Sequence, residues 1–131
     1  ITLDSNRFES CEIFFKPSLI GGHLSKYKSL VAYAYDSALA CNIDVRSEIT
    51  GNICIAGGGS LINGFVERFT KDLKNTVPMS MRCSINSKPN RQNAAYIGAS
   101  ILSCLSFFRE SCITQEEYEE TGPKIVNRKC F

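Results

Sequence analysis

The run Gly57-Gly58-Gly59-Ser60 is the stretch whose residue types and spacing most suggest chemistry. It follows Ile53-Cys54-Ile55, a β-rich apolar triplet that suits a strand buried on both faces. It precedes Ile62, Phe65, Val66, Phe69 and Leu73, which keep helical spacing. Glycines between a strand and a helix let a ligand approach the backbone, and amides at a helix start favour phosphate. The run is not a Walker A loop, because no Gly-Lys-Ser/Thr occurs. Nor is it GxGxxG, because Ile62 stands where the third glycine belongs. Spacing alone leaves two readings open: a phosphate cradle and a plain strand-to-helix turn.

Other chemistry has less support. His23 is the only histidine, and no Ser or Cys stands near it in a triad-like setting. Seven cysteines (Cys11, Cys41, Cys54, Cys83, Cys104, Cys112, Cys130) include no CxxC pair, so no structural zinc site is expected. Their odd number and scattered apolar contexts suit reduced thiols, most of them small core residues, with Cys130 the exposed and reactive one. Glu116, Glu117, Glu119 and Glu120 could meet a basic partner or simply form a solvated helix face.

Lys124, Arg128 and Lys129 are too few to argue for nucleic acid, and the net charge of +2 agrees. The 131 residues leave room for one domain or part of a larger one. With 44% apolar and 21% charged residues, disordered and low-complexity classes are excluded. Residues 97–108 form the longest weakly polar run, short of the roughly 20 residues a bilayer span needs. The sequence starts at Ile1 without a Met and already reads like a strand, so it is expected to begin inside a longer protein.

The elements that must position these residues alternate between strand and helix, an α/β architecture. Ile1-Thr2-Leu3 reads as the end of a strand and Asp4-Ser5-Asn6 as a turn. An apolar stretch from Phe8 to Phe15 stops at Pro17. Ser29 caps a helix running to about Cys41, with Leu30, Tyr33, Ala34, Ala38 and Cys41 on one face. Asp44 caps a short helix that ends near Gly51. The helix after the glycine run carries Glu67/Lys71 and Arg68/Asp72 as outward pairs and closes at Pro78. Met79, Met81, Cys83 and Ile85 alternate with the period of a strand. Asn93 caps a helix through Leu105 that is apolar on most sides and so expected to be buried. Thr114-Gln115-Glu116-Glu117 is a capping box for a last helix that stops at Gly122-Pro123.

Several segments, in order, resemble the actin family. The tail Gly122-Pro123-Lys124-Ile125-Val126-Asn127-Arg128-Lys129-Cys130-Phe131 is similar to the family's carboxyl terminus, where Ser-Ile-Val-His-Arg-Lys-Cys-Phe is typical. Ile1-Thr2-Leu3 through Arg7-Phe8, Phe15-Lys16-Pro17-Ser18, Asp44-Val45-Arg46 and Gly57-Gly58 resemble family segments as well. So do Ile97-Gly98-Ala99-Ser100-Ile101-Leu102 with Leu105, and Gln115-Glu116-Glu117-Tyr118. The resemblance covers the whole chain.

It implies the carboxyl-terminal third of the actin-like ATPase fold, a ribonuclease H-like core shared with sugar kinases and heat-shock chaperones. Residues 1–22 would end an outer subdomain. Residues 23–91 would be most of an inner subdomain carrying part of the nucleotide cleft, and residues 92–131 the carboxyl-terminal helices of the other inner subdomain. The implied ligand is ATP or ADP with Mg. Gly57, Gly58 and Gly59 would line its cleft through their backbone. Leu61 and Ile62 stand where the family has a Met-Tyr pair near the adenine, and Gln92 stands where it has a Lys beside the base. These changes remove a ring and a charge, which bears on nucleotide affinity and base preference.

The family residues that order Mg and the attacking water lie in its amino-terminal part, so this piece alone is not expected to hydrolyse ATP. Ile97, Ile101, Leu102, Leu105 and Phe107 match a hydrophobic cleft that takes partner helices and the next subunit, core packing being their plain alternative. Implied partners are other actin-like subunits and actin-binding proteins, with no nucleic acid and no membrane, in the cytoplasm or cytoskeleton. Residues 21–28 fall in the family's plug loop and are longer and more polar here. That leaves two readings: a filament-forming ATPase, or a non-polymerising actin-related subunit of a chromatin or branching complex, for which a nuclear location is possible.

Overall fold

A strand, a crossover helix and a parallel second strand form the centre of the amino-terminal unit. The computed structural model describes Asp4, residues 6–22 and residues 26–130. It divides into two compact units, Ile1–Gln92 and Asn93–Phe131.

In the first unit, α1 (Asn6–Glu12) leads through a turn to a 3-10 segment at Pro17–Ile20. Then comes α2 (Leu30–Ala40), where Ser29 accepts from the Ala32 amide at 3.1 Å, the cap read from sequence. A 3-10 turn (Ile43–Val45) precedes α3 (Arg46–Thr50). The capping side chain here is Asn42, which accepts from the Ile43 amide at 2.9 Å. Asp44 lies inside that turn, so the cap stands two residues earlier than its sequence position suggested.

The strand β1 (Ile53–Ile55) is followed by a 3-10 turn at Gly58–Leu61 and by α4 (Phe65–Thr76), which returns the chain to β2 (Ile85–Ser87). The two strands pair in parallel, with Ile53 opposite Ile85 and Ile55 opposite Ser87. Parallel neighbours need a crossover of this kind, and α4 supplies it. Residues 79–84 are not strand. Their alternation survives as packing, because Met81, Cys83 and Ile85 face the core, while Met79 is fully exposed.

The core forms where α4 meets α2: Phe69, Leu73 and Val77 pack on Val31, with Phe15, Ala34, Tyr35, Ile53 and Ile55 against them. The buried stripe of α2 is therefore Val31, Ala34, Tyr35 and Ala38, at ideal i, i+3, i+4, i+7 spacing. Leu30 and Tyr33, placed on that face by the sequence, are exposed beside it. Only one face of β1 meets this core. Cys54 is exposed, so the strand is not buried on both faces as its apolar run suggested.

Arg68 fastens α1 to α4. Its guanidinium forks onto Glu12 at 2.8 and 3.1 Å, reaches Asp72 at 2.7 Å, and lies 5.0 Å from the Phe15 ring centre. Hydrogen bonds to Asp72 first and Glu12 second raise its pKa further above the ordinary value. The expected Arg68/Asp72 pair is present; no ion pair joins Glu67 to Lys71 among the described residues.

The second unit contains α5 (Ala94–Ser103), α6 (Phe108–Ser111), α7 (Gln115–Thr121), a 3-10 turn at Gly122–Ile125 and α8 (Val126–Lys129). Asn93 occupies the cap position of α5 without a side-chain capping bond. No residue of α5 is buried, which corrects the expectation of a buried helix. The capping box is formed: Thr114 accepts from the Glu117 amide at 3.3 Å, and Glu117 accepts from the Thr114 amide at 2.9 Å. Lys129 joins it, donating to Glu117 at 2.7 Å and to the Cys112 carbonyl at 2.9 Å.

Lys129 first, and the Thr114 amide second, hold the Glu117 carboxyl below its ordinary range. The unfolded chain therefore takes up this proton first as pH falls. The stabilisation contributed by Glu117 is complete above the ordinary carboxylate range and fades as pH drops through the lowered folded value. We predict that Glu117→Gln reduces the acid sensitivity of the tail, measured as hydrogen exchange at residues 115–130 between neutral and strongly acidic pH. An unchanged acid profile would contradict this linkage.

Among the described residues all seven cysteines are free and none is fully buried, so the expected core role fails for most of them; Cys130 is exposed, as expected. No helix among them is long and apolar enough to cross a membrane. The strand expected at residues 1–3 and His23 lie outside the described residues.

Candidate functional site

The glycine run leaves β1 through Gly57, whose φ of 97° lies in the region that a Cβ disfavours. The chain then coils into the 3-10 turn and straightens at Ile62 before Gly64 and α4. Nine residues, 56–64, separate the strand end from α4, so α4 does not start directly at the glycines. Its amino terminus is at Phe65, and the turn presents its own backbone instead. A Cβ added at Gly57, Gly58 or Gly59 would meet nothing within 4 Å. The turn faces open space on this side, so a group approaching Gly58 and Gly59 meets backbone.

Ser60 anchors the turn and is 5% exposed. Its hydroxyl donates to the Gly57 carbonyl at 2.7 Å and accepts from Arg91 Nε at 2.9 Å. Arg91 Nη2 donates to the Ser60 carbonyl at 2.8 Å, and the Gly57 amide donates to the Arg91 carbonyl at 2.9 Å. Gln92, next in sequence, is exposed. These contacts bring Arg91, and with it the segment carrying Gln92, to the glycine turn.

The remaining pocket-wall residues diverge. Gly59 and Ser60 belong to the rim of an apolar cavity of about 410 Å³ between α2 and β1, bordered by Leu30, Tyr33 and Phe65. Ile62 belongs to a separate cavity of about 190 Å³ beside α1, with Phe15 and Arg68. Leu61 is exposed, and Gly57, Gly58, Leu61 and Gln92 border neither cavity. Ser60 closes the run singled out in the sequence and Arg91 precedes Gln92, but sequence reasoning did not pair them or give either a role. A small hydroxyl residue closing a glycine run, with an arginine near the next loop, is a signal too general to pair them.

In the second unit Ile97, Ile101, Leu102, Leu105 and Phe107 are all exposed. Ile97 and Ile101 are one helical turn apart on α5, Leu105 continues the same spacing, and Tyr96 beside them is 78% exposed. Within this unit these side chains face outward and do not enter a core.

A sequence model of the actin family matches residues 1–131. The chain belongs to the actin family, and that membership implies the actin-like ATPase fold.

Proposed function

We propose that this chain is the carboxyl-terminal part of an actin-like protein that binds ATP or ADP with Mg between two lobes and assembles into filaments. The match to the actin family along residues 1–131 carries this reading. In it, residues 1–22 end an outer subdomain, residues 23–91 form most of an inner one, and residues 92–131 are helices of the other inner one. The division of the chain after Gln92 supports the last boundary.

The glycine turn suits a nucleotide. Its exposed backbone at Gly58 and Gly59 has no side chain in the way, which is what close approach of phosphate and ribose needs. Gln92 and Leu61 stand at its edge, and Ile62 follows on its far side. When bound, Mg would be held by the phosphates together with the part of the family fold that precedes this chain. The carbonyls and amides here bind and orient the nucleotide without taking part in hydrolysis.

Ile97, Ile101, Leu102, Leu105 and Phe107 form the surface for a partner's amphipathic helix or for the next subunit. Such head-to-tail contacts build filaments because the rotation between subunits does not close.

Fluorescent etheno-ATP with Mg tests the nucleotide part. The full-length protein is expected to bind it saturably at micromolar concentration, and absence of binding there would overturn the reading. For the cleft, Ile101→Asp is expected to weaken a partner helix at least about tenfold, since it places a charge in a desolvated contact. Unchanged partner affinity by titration calorimetry would sink that assignment. A second reading, a non-polymerising actin-related subunit, is favoured by Gln92 in place of a cation and by the polar segment 21–28, where Lys28 is engaged with Asp36 at 2.6 Å.

A further inference from the structure

We infer that Arg91 and Ser60 are positioning residues that set the shape of the glycine turn for its ligand without touching that ligand. The inference rests on the nucleotide reading above and specifies how the turn is held ready.

Three consecutive glycines have more backbone freedom than any other tripeptide, so an ordered turn at Gly57, Gly58 and Gly59 must be held by something outside it. No side chain packs on the outer side of these glycines: beyond the adjoining residues, nothing lies within 4 Å of where a Cβ would stand at any of the three. Hydrogen bonds hold the turn. The Gly57 carbonyl accepts from the Ser60 hydroxyl at 2.7 Å and from the Ser60 amide at 3.2 Å, which closes the turn on itself. Arg91 then clamps the closed turn at three points, through Nε to the hydroxyl, Nη2 to the Ser60 carbonyl, and its own carbonyl to the Gly57 amide.

Each guanidinium nitrogen already has a partner in the chain in this arrangement. Nη1 faces the Lys88 carbonyl at 3.4 Å, so all three nitrogens point at the chain. Arg91 is also half-buried, and the serine it grips is nearly inaccessible. A planar fork is the group suited to holding a hydroxyl and a carbonyl of one residue together, and a lysine cannot reproduce it. Because the same arginine precedes Gln92, the brace also fixes the separation between the glycine backbone and the base-side residue.

The test measures etheno-ATP affinity, with Mg, in the full-length protein. Arg91→Ala is expected to weaken binding about 10- to 100-fold, through the loss of its two charged-donor hydrogen bonds to Ser60. Arg91→Lys should fall between the alanine variant and the unaltered protein. Ser60→Ala should cost about 3- to 10-fold, since the Nη2 bond to the Ser60 carbonyl remains. Combined with Arg91→Ala it should add little, because the two side chains act through one another.

Hydrogen exchange supplies the readout a general loss of stability would not give. Amides at residues 57–61 should exchange faster in Arg91→Ala while those of α4 are unchanged. Ser60→Ala and Arg91→Lys keep the test decisive if Arg91→Ala does not fold. Equal etheno-ATP affinity in all variants, with the unaltered protein binding, would overturn the brace and leave the nucleotide reading intact. No binding by the unaltered protein would overturn both.

Discussion

Leu73→Ala is expected to destabilise the amino-terminal unit by about 2–5 kcal/mol, the cost of deleting a buried leucine and leaving a partly unrelaxed cavity. Leu73 is fully buried, on the inner face of α4, against Val31, Phe69 and Val77. The site cannot easily collapse. Ile53 and Ile55 are fixed by the strand pair, and α4 is tied to α1 through the fork of Arg68 on Glu12. The change should appear as a lower urea midpoint and as faster exchange of α4 amides. Because α4 connects β1 to β2, the glycine turn between them should loosen as well. A loss below about 1 kcal/mol would mean that the unit is not organised around α4.

Ile125→Ala should have an effect of similar size in the second unit, about 2–5 kcal/mol. Ile125 is fully buried, and among the described residues of Asn93–Phe131 it is the only buried side chain. It sits where the chain turns from α7 into α8, so its loss removes the apolar anchor of the tail. Lys129 and the capping box remain, but a partly exposed ion pair contributes little by itself. Exchange protection at residues 115–130 should fall most. Val126→Ala, next along the chain and 46% exposed, is the control and should stay within about 0.5 kcal/mol. Equal effects of the two substitutions would contradict this placement.

What could be read from the sequence was local in its physics. Ser29 and Thr114 bond to amides three residues away, so their caps follow from residue type and position alone. The helix from Phe65 was legible from its own period, although Ile62, counted in that period, lies before α4, and the triplet at Ile53 was legible as a strand from its β-rich apolar residues, though not buried on both faces. Asn42 was missed because a 3-10 turn intervenes before α3, and composition does not separate that turn from the helix it feeds.

The long-range features were hidden. Alternation at Met81, Cys83 and Ile85 correctly marks inward side chains, but a strand also needs a neighbour, and only Ile85–Ser87 has one. The apolar surround of α5 says that the helix could be buried, while burial depends on what covers it. Ser60 and Arg91 meet across 31 positions, a pairing no spacing rule anticipates. The glycine turn was therefore visible in the sequence, and the clamp that shapes it was not.

The central claim, an actin-like protein that assembles under nucleotide control, is tested most directly by high-speed sedimentation of the full-length protein with and without Mg-ATP and salt. The account predicts a pellet that forms above a threshold protein concentration and depends on Mg-ATP. Protein that stays in the supernatant at every concentration, with Mg-ATP and salt present, would contradict filament assembly.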